Sequence, residues 1–316
     1  MLRVFSVPVF ALCLLTSSCK GQVPALPKNI EVRRDVPYAS TSNAKQTLDL
    51  FLPKAKTDKP RPLIVSIHGG GWSSGDKGDS FIGVLQMLIQ DGVFAGASLN
   101  YRLTNEARWP EQIYDCKAAI RWLRAHAVEL NIDPKRIGVV GGSAGGHLAS
   151  LLGTSSSVPE LEGTLGAHAG VSSAVQCVVN SCGPENFLTI GDHPSLIPWN
   201  APGSIGSKLL GSPIPQAKEL ARAASPVTYI TPDDAPVMTV HGTKDTVVPF
   251  EQATEFREAL KKAGVPNVLI TGKDGGHVCI NPEVLRRMRL FLDHWLVGKP
   301  DAEAMEDKTV KFRPVK

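Results

Sequence analysis

The segment from Arg136 to Leu152 constrains this chain more than any other. Arg136-Ile137-Gly138-Val139-Val140 is a short apolar run, Gly141-Gly142-Ser143-Ala144-Gly145 is a turn of small residues, and His147-Leu148-Ala149-Ser150-Leu151-Leu152 continues as a helix. A strand that feeds straight into a helix needs small residues two positions before and two after the bend, because the two elements must approach closely there. The residue at the apex, here Ser143, is held with its side chain exposed. A helix opening at Ala144 adds unpaired N–H groups and the positive end of a dipole beside it. Such a hydroxyl suits nucleophilic attack. A glycine-rich turn that merely packs a helix on a sheet would look the same, so the test is whether the chain also supplies an acid, a base and oxyanion donors.

All three occur. His68-Gly69-Gly70-Gly71-Trp72 follows the apolar run Leu63 to Ile67, and its glycines let backbone N–H groups approach a substrate oxygen. No Lys-Ser/Thr follows and no full G-x-G-x-x-G spacing is present, which argues against a phosphate loop. Asp245 lies in His241-Gly242-Thr243-Lys244-Asp245, directly after the run Val237 to Val240, and is the acid candidate ahead of Asp192 and Asp274. Gly275-Gly276-His277 follows Val268 to Ile270 and supplies the base. His147 sits on the same helix as Ser143 and is read as packing, while His68 and His241 end strands and brace loops. No metal-ligand spacing appears and no cofactor is expected.

Strand and helix signals alternate from about Pro62 onward, which indicates an α/β chain with a mostly parallel sheet wrapped by helices. Six short apolar runs, at Leu63–Ile67, Val93–Ala97, Ile137–Val140, Val175–Val179, Val237–Val240 and Val268–Ile270, read as strands covered on both faces. Ile30–Val36 and Thr47–Leu52 alternate more and read as antiparallel edge strands, for eight in all. Helical patterns fall at Gln112–Ala127, Ala144–Leu152, Gln216–Ala223, Glu251–Ala263 and Pro282–Leu296. The Pro- and Gly-rich stretch 185–225 breaks the rhythm after the sixth strand and reads as a lid-like excursion. It contains Trp199, taken with Trp72 as a substrate contact beside a packing role. The organisation is a leader over 1–21, one catalytic domain over 22–298 and a charged tail over 299–316, expected to be disordered or loosely docked.

Arg3, the apolar stretch Val4 to Leu15 and the small residues Thr16-Ser17-Ser18 have the layout of an export signal, and the stretch is too short to span a bilayer. Export to the periplasm or beyond is expected, with lipid attachment at Cys19 the minority reading. The formal charge is +4; without Arg3 and Lys20 it is 32 basic against 30 acidic residues, or +2, which offers nothing to nucleic acid. Outside the leader the cysteines are Cys116, Cys177, Cys182 and Cys279. Cys177 and Cys182, five residues apart in one strand, would hold their α-carbons ~16 Å apart, too far to bridge. Cys182 with Cys279 is conceivable, free thiols are more ordinary, and no essential disulfide is expected.

Taken together, His68 to Trp72 with Gly75-Asp76-Lys77, Asn100-Tyr101-Arg102-Leu103, Asp115 to Leu123, Gly141 to His147, Ser225-Pro226-Val227, His241 to Asp245 and Gly276-His277 resemble the α/β-hydrolase superfamily. Within it the chain resembles the secreted bacterial esterases of the feruloyl-esterase-like and acetylxylan-esterase-like group, related to hormone-sensitive-lipase-type esterases. The likeness spans about Val32 to Leu296. It implies an α/β-hydrolase fold, a Ser143–Asp245–His277 triad, and oxyanion donors at Gly70, Gly71 and Ala144. The residue before Ser143 is glycine where hormone-sensitive-lipase relatives commonly carry an acid, so acyl preference is not carried over. The implied substrate is an acetyl or feruloyl ester of plant polysaccharide. Alternatives are a general carboxylesterase for small acyl esters, an arylformamidase-like amidase, and a non-catalytic binding protein on a hydrolase scaffold.

Overall fold

The computed structural model describes residues 28–313 apart from 56 and 80. The leader and Cys19 lie outside the described residues. Nine strands form one sheet: β1 (Ile30–Pro37), β2 (Thr47–Pro53), β3 (Arg61–Ile67), β4 (Ala95–Leu99), β5 (Ile132–Gly142), β6 (Cys177–Ser181), β7 (Val237–Gly242), β8 (Asn267–Lys273) and β9 (Lys308–Lys311). Their order across the sheet is β1-β2-β4-β3-β5-β6-β7-β8-β9. β2 is antiparallel to β1 and β4, and every other neighbouring pair is parallel. Every residue of β3, β6 and β7 is buried, as strands covered on both faces require.

The helices are α1 (Ile82–Ile89), α2 (Glu111–Ala125), α3 (Ala127–Leu130), α4 (Ala144–Thr154), α5 (Ile205–Leu210), α6 (Lys218–Ala223), α7 (Glu251–Ala263) and α8 (Pro282–Leu292). Two apolar clusters sandwich the sheet. Ile113, Ile120 and Leu123 of α2, Leu148 and Leu152 of α4, and Phe256 and Leu260 of α7 join one cluster. Leu85, Leu88 and Ile89 of α1, with Val284, Met288, Phe291 and Leu292 of α8, join the other. Each helix thereby removes an apolar stripe from water, at roughly 1.5–3 kcal/mol for each large side chain buried.

Two expectations need correcting. The sheet has nine strands rather than eight, because Lys308–Lys311 of the charged tail pairs in parallel with Ile270–Lys273 of β8. Only Val310 of this strand is buried, and two of its three exposed positions are lysines, the usual dress of a sheet edge. Helix α1 was absent from the expected elements. Its sequence, Ile-Gly-Val-Leu-Gln-Met-Leu-Ile, is apolar nearly all round, so periodicity does not mark it. The four described cysteines are all free and buried.

The register brings the carboxyl ends of the central strands to one edge. Ile67 pairs with Gly141, Gly142 with Ser181, and Gly242 with Gly272. The loops leaving β3, β5, β6, β7 and β8 therefore emerge side by side, where open α/β sheets bind ligands.

Candidate active site

Ser143 sits at φ 56° and ψ −122°, an unusual conformation for a residue with a side chain. Its N–H donates to Ser181 O (2.8 Å), and the His147 N–H returns to Ser143 O (3.0 Å), so both sides of the bend are fixed by neighbouring backbone. The glycines around it leave no room for anything larger: a Cβ on Gly145 would lie 2.1 Å from Ile67 O. The hydroxyl caps nothing in its own helix and is left to the histidine.

Three separate loops meet at that hydroxyl. His277 Nε2 lies 2.9 Å from Ser143 Oγ, and His277 Nδ1 lies 2.7 Å from Asp245 Oδ2. Neither Asp192 nor Asp274 takes that place. The Asp245 side chain is fully buried, and its other oxygen accepts the N–H groups of Val247 (2.8 Å) and Val248 (3.0 Å). His241 Nε2 approaches the same carboxylate at 3.2 Å and also lies 2.9 Å from Val248 O, so it braces the acid loop. Burial penalises the Asp245 charge, but the hydrogen bonds from His241 and His277 outweigh it and hold this pKa well below the ordinary carboxylate range. Burial likewise opposes the His277 imidazolium, yet the Cys182 sulfur and the Asp245 carboxylate prevail and raise its pKa above the ordinary value.

Cys182, for which a pairing with Cys279 is conceivable from sequence, is a free buried thiol. It lies just beyond β6 with φ 50°, and its Sγ accepts the N–H of Val278 at 3.3 Å. Val278 itself has φ 54°, which is costly for a β-branched residue. The residue after His277 is thus held in a strained turn by a sulfur from the loop that leaves β6. Sγ, an Asp245 oxygen and a His277 nitrogen all lie within 4.8 Å of one another. A cation there would have to displace the proton shared by His277 and Asp245, so the arrangement suits proton transfer better than metal binding.

Gly70 and Gly71 turn at φ +106° and +57° opposite the bend. Among the described residues no protein acceptor takes either N–H, and the first residue of α4, Ala144, has no partner within its helix. The remaining sequence marks build the support for this loop. The Tyr101 hydroxyl donates to His68 O (3.0 Å) and its ring stacks on His68. The Asn100 side chain accepts from Lys77 N (2.6 Å) and donates to Asp76 (2.9 Å). Arg102 forks onto the wholly buried Asp115, anchoring the same strand end to α2.

Trp72 and Trp199, expected as substrate contacts beside a packing role, are packed into the interior. They are 1% and 2% exposed, and both N–H groups are engaged, Trp72 with His147 Nδ1 (3.2 Å) and Trp199 with Val247 O (3.2 Å). Phe187 packs between them. Their size and buried polar tips serve to join the Gly70–Trp72 loop, α4, the excursion and the Asp245 loop into one apolar block. His147 lies in this block with its pKa pushed down to about 4 by burial.

Similarity to known proteins follows the same outline. Esterase LipC of Mycobacterium tuberculosis is 31% identical over 72% of this chain and 55% of its own length. This chain spans about half to three-fifths of the length of the curated relatives LipC, LipQ and LipM. Among solved structures, a truncated carbohydrate esterase from gut microbiota superimposes with a TM-score of 0.78 at 28% identity, over 86% of this chain and 99% of that one. A thermophilic esterase of Thermogutta terrifontis with butyrate bound gives 0.66 at 28% identity, over 88% and 95%. With this α/β-hydrolase fold and a match extending over residues 48–260, the chain belongs to the BD-FAE family.

Proposed function

We propose that this protein is a serine esterase that cleaves acetyl or feruloyl esters of plant polysaccharide through an acyl-enzyme. The observation that carries the proposal is the continuous hydrogen-bonded line from Asp245 through His277 to a strained, half-buried Ser143. His277 Nε2 takes the Ser143 proton as Oγ attacks the ester carbonyl, and Asp245 fixes the tautomer and stabilises the imidazolium. The unengaged N–H groups of Gly70, Gly71 and Ala144 receive the negative oxygen. His277 then returns its proton to the leaving alcohol. Water activated by the same ring attacks the acyl group, releasing the carboxylic acid and restoring Ser143.

The names of the relatives support ester cleavage, and the carbohydrate esterase among the structural neighbours favours a sugar ester. The butyrate-bound neighbour favours a second reading, a general esterase for short acyl groups. Hydrolysis of p-nitrophenyl acetate by the purified protein beside a folded Ser143→Ala variant tests the mechanism. Activity is expected in the first and only background turnover in the second. Equal activity in both would reject Ser143 as nucleophile. Acetylated and feruloylated xylo-oligosaccharides against p-nitrophenyl butyrate, compared by kcat/KM, then separate the two substrate readings.

A further inference from the structure

An open groove of about 490 Å³ adjoins the oxyanion loop. Ser73, Thr104, Asn105, Arg108, Ser207 and Lys208 line it. Its wall is the loop itself continued: Ser73 N donates to Gly70 O (3.1 Å) and Thr104 N to Trp72 O (2.8 Å). Ile205, at the start of α5, packs against Gly71, where a Cβ would lie 3.4 Å from its Cγ2. Whatever occupies the groove therefore lies next to an ester whose carbonyl oxygen is held by Gly70 and Gly71.

The lining is hydroxyl, amide and cation, with no carboxylate among the described residues. The other flank of the site is different in character. Leu196 is 75% exposed on a segment bonded to Thr246 O, one residue past Asp245, and Val278 is 36% exposed beside His277. An apolar acyl group suits that flank, and a polyhydroxylated alcohol suits the groove.

Arg108 and Lys208 are both exposed on the groove, and neither side chain forms a salt bridge or hydrogen bond among the described residues. Arg108 is nonetheless held in place. Its guanidinium lies over Gly211 so closely that a Cβ there would be 2.7 Å from Nη1, and the next residue is strapped to α5 by Trp109 N to Leu209 O (3.0 Å). A positioned guanidinium fork and a nearby ammonium, both without counter-charge in a hydroxyl-lined groove, match a carboxylate carried on a sugar.

We propose that this groove binds the glycan part of the substrate and that Arg108 and Lys208 recognise a uronic acid within it. The choice of ligand rests on the esterase reading above, so the test separates the two. Binding of deacylated xylo-oligosaccharides bearing a uronic acid is measured by calorimetry at low salt, against the same oligosaccharides with the carboxyl group reduced to an alcohol. The intact protein is expected to prefer the acidic form about tenfold, a preference that shrinks as salt rises. Arg108→Gln with Lys208→Gln, confirmed folded by its melting temperature, should bind both forms alike, while Arg108→Lys should keep part of the preference. Equal binding of the two forms by the intact protein, or an undiminished preference in the double variant, would overturn the proposal. Because no turnover is involved, a protein that binds uronates selectively but hydrolyses no ester would reject the esterase reading alone. One that hydrolyses esters without the preference would reject the groove alone.

Discussion

Gly70→Ala offers the sharpest test of the oxyanion loop. Gly70 has φ +106°, and a Cβ there would sit 2.2 Å from Ser74 O and 2.7 Å from Ser74 C, both backbone atoms in a tight turn. Real Cβ contacts do not fall under 3.0 Å, so the loop must move by at least 3.0 − 2.2, or 0.8 Å. Displacing a positioned group by about 1 Å costs on the order of 10² in rate, and losing an oxyanion donor costs ~10²–10³. The expected result is a fall in kcat of about 10²-fold on p-nitrophenyl acetate with KM changed only a few-fold, since the oxygen is held more tightly in the transition state than in the ester. Gly264→Ala separates this from backbone strain. Gly264 also has positive φ, +80°, but ends α7 with nothing within 4 Å of an added Cβ. That variant should lose a few degrees of melting temperature, about 1 kcal/mol of strain, and keep its kcat. A folded Gly70→Ala protein with kcat within threefold of the parent would refute the placement of the oxyanion at this loop.

Two further outcomes are expected. His277 must be neutral to accept the serine proton, and its raised pKa places the acid limb of kcat/KM above the ordinary histidine value. Cys182→Ala removes one of the groups that favour the imidazolium and also frees the Val278 N–H. The limb should therefore move to lower pH while kcat drops about tenfold, with Cys182→Ser recovering part of kcat; a pH–rate profile identical to the parent's would sink the idea. Glu185 is wholly buried, bonded to Ser150 and Asn180, and burial raises its pKa well above the ordinary value, so the folded protein binds a proton that the unfolded chain gives up. Stability should fall as pH climbs from the ordinary glutamate pKa toward that raised value, and Glu185→Gln should flatten the dependence; parallel melting curves for the two proteins from pH 5 to 8 would contradict this.

The turn at Ser143 was legible because its requirements are local: an apolar strand, small residues at fixed offsets and a helix all lie within Arg136 to Leu152. The buried strands were legible for a similar reason, since burial on both faces leaves only short apolar runs between turns. What sequence could not disclose depends on distant partners. Trp72 and Trp199 lie 127 positions apart, and only folding shows that Phe187 and His147 pack them together behind the serine. The sulfur of Cys182 reads as a small apolar group until β6 and the His277 loop are set side by side. β9 escaped because an edge strand buries one residue in four and otherwise carries the charges of a solvated tail.

The excursion does not hang freely over the site. Ser195 Oγ donates to Val247 O (2.8 Å), Leu196 N to Thr246 O (2.7 Å) and Trp199 Nε1 to Val247 O (3.2 Å), while the Val247 N–H is what Asp245 accepts. Substrate scope and proton relay therefore share one scaffold. Variation that reshapes 195–199 to admit a bulkier ester disturbs the acid as well, whereas change around the groove leaves the relay untouched. Over evolutionary time, substitutions around the groove should accumulate more readily than substitutions at 195–199.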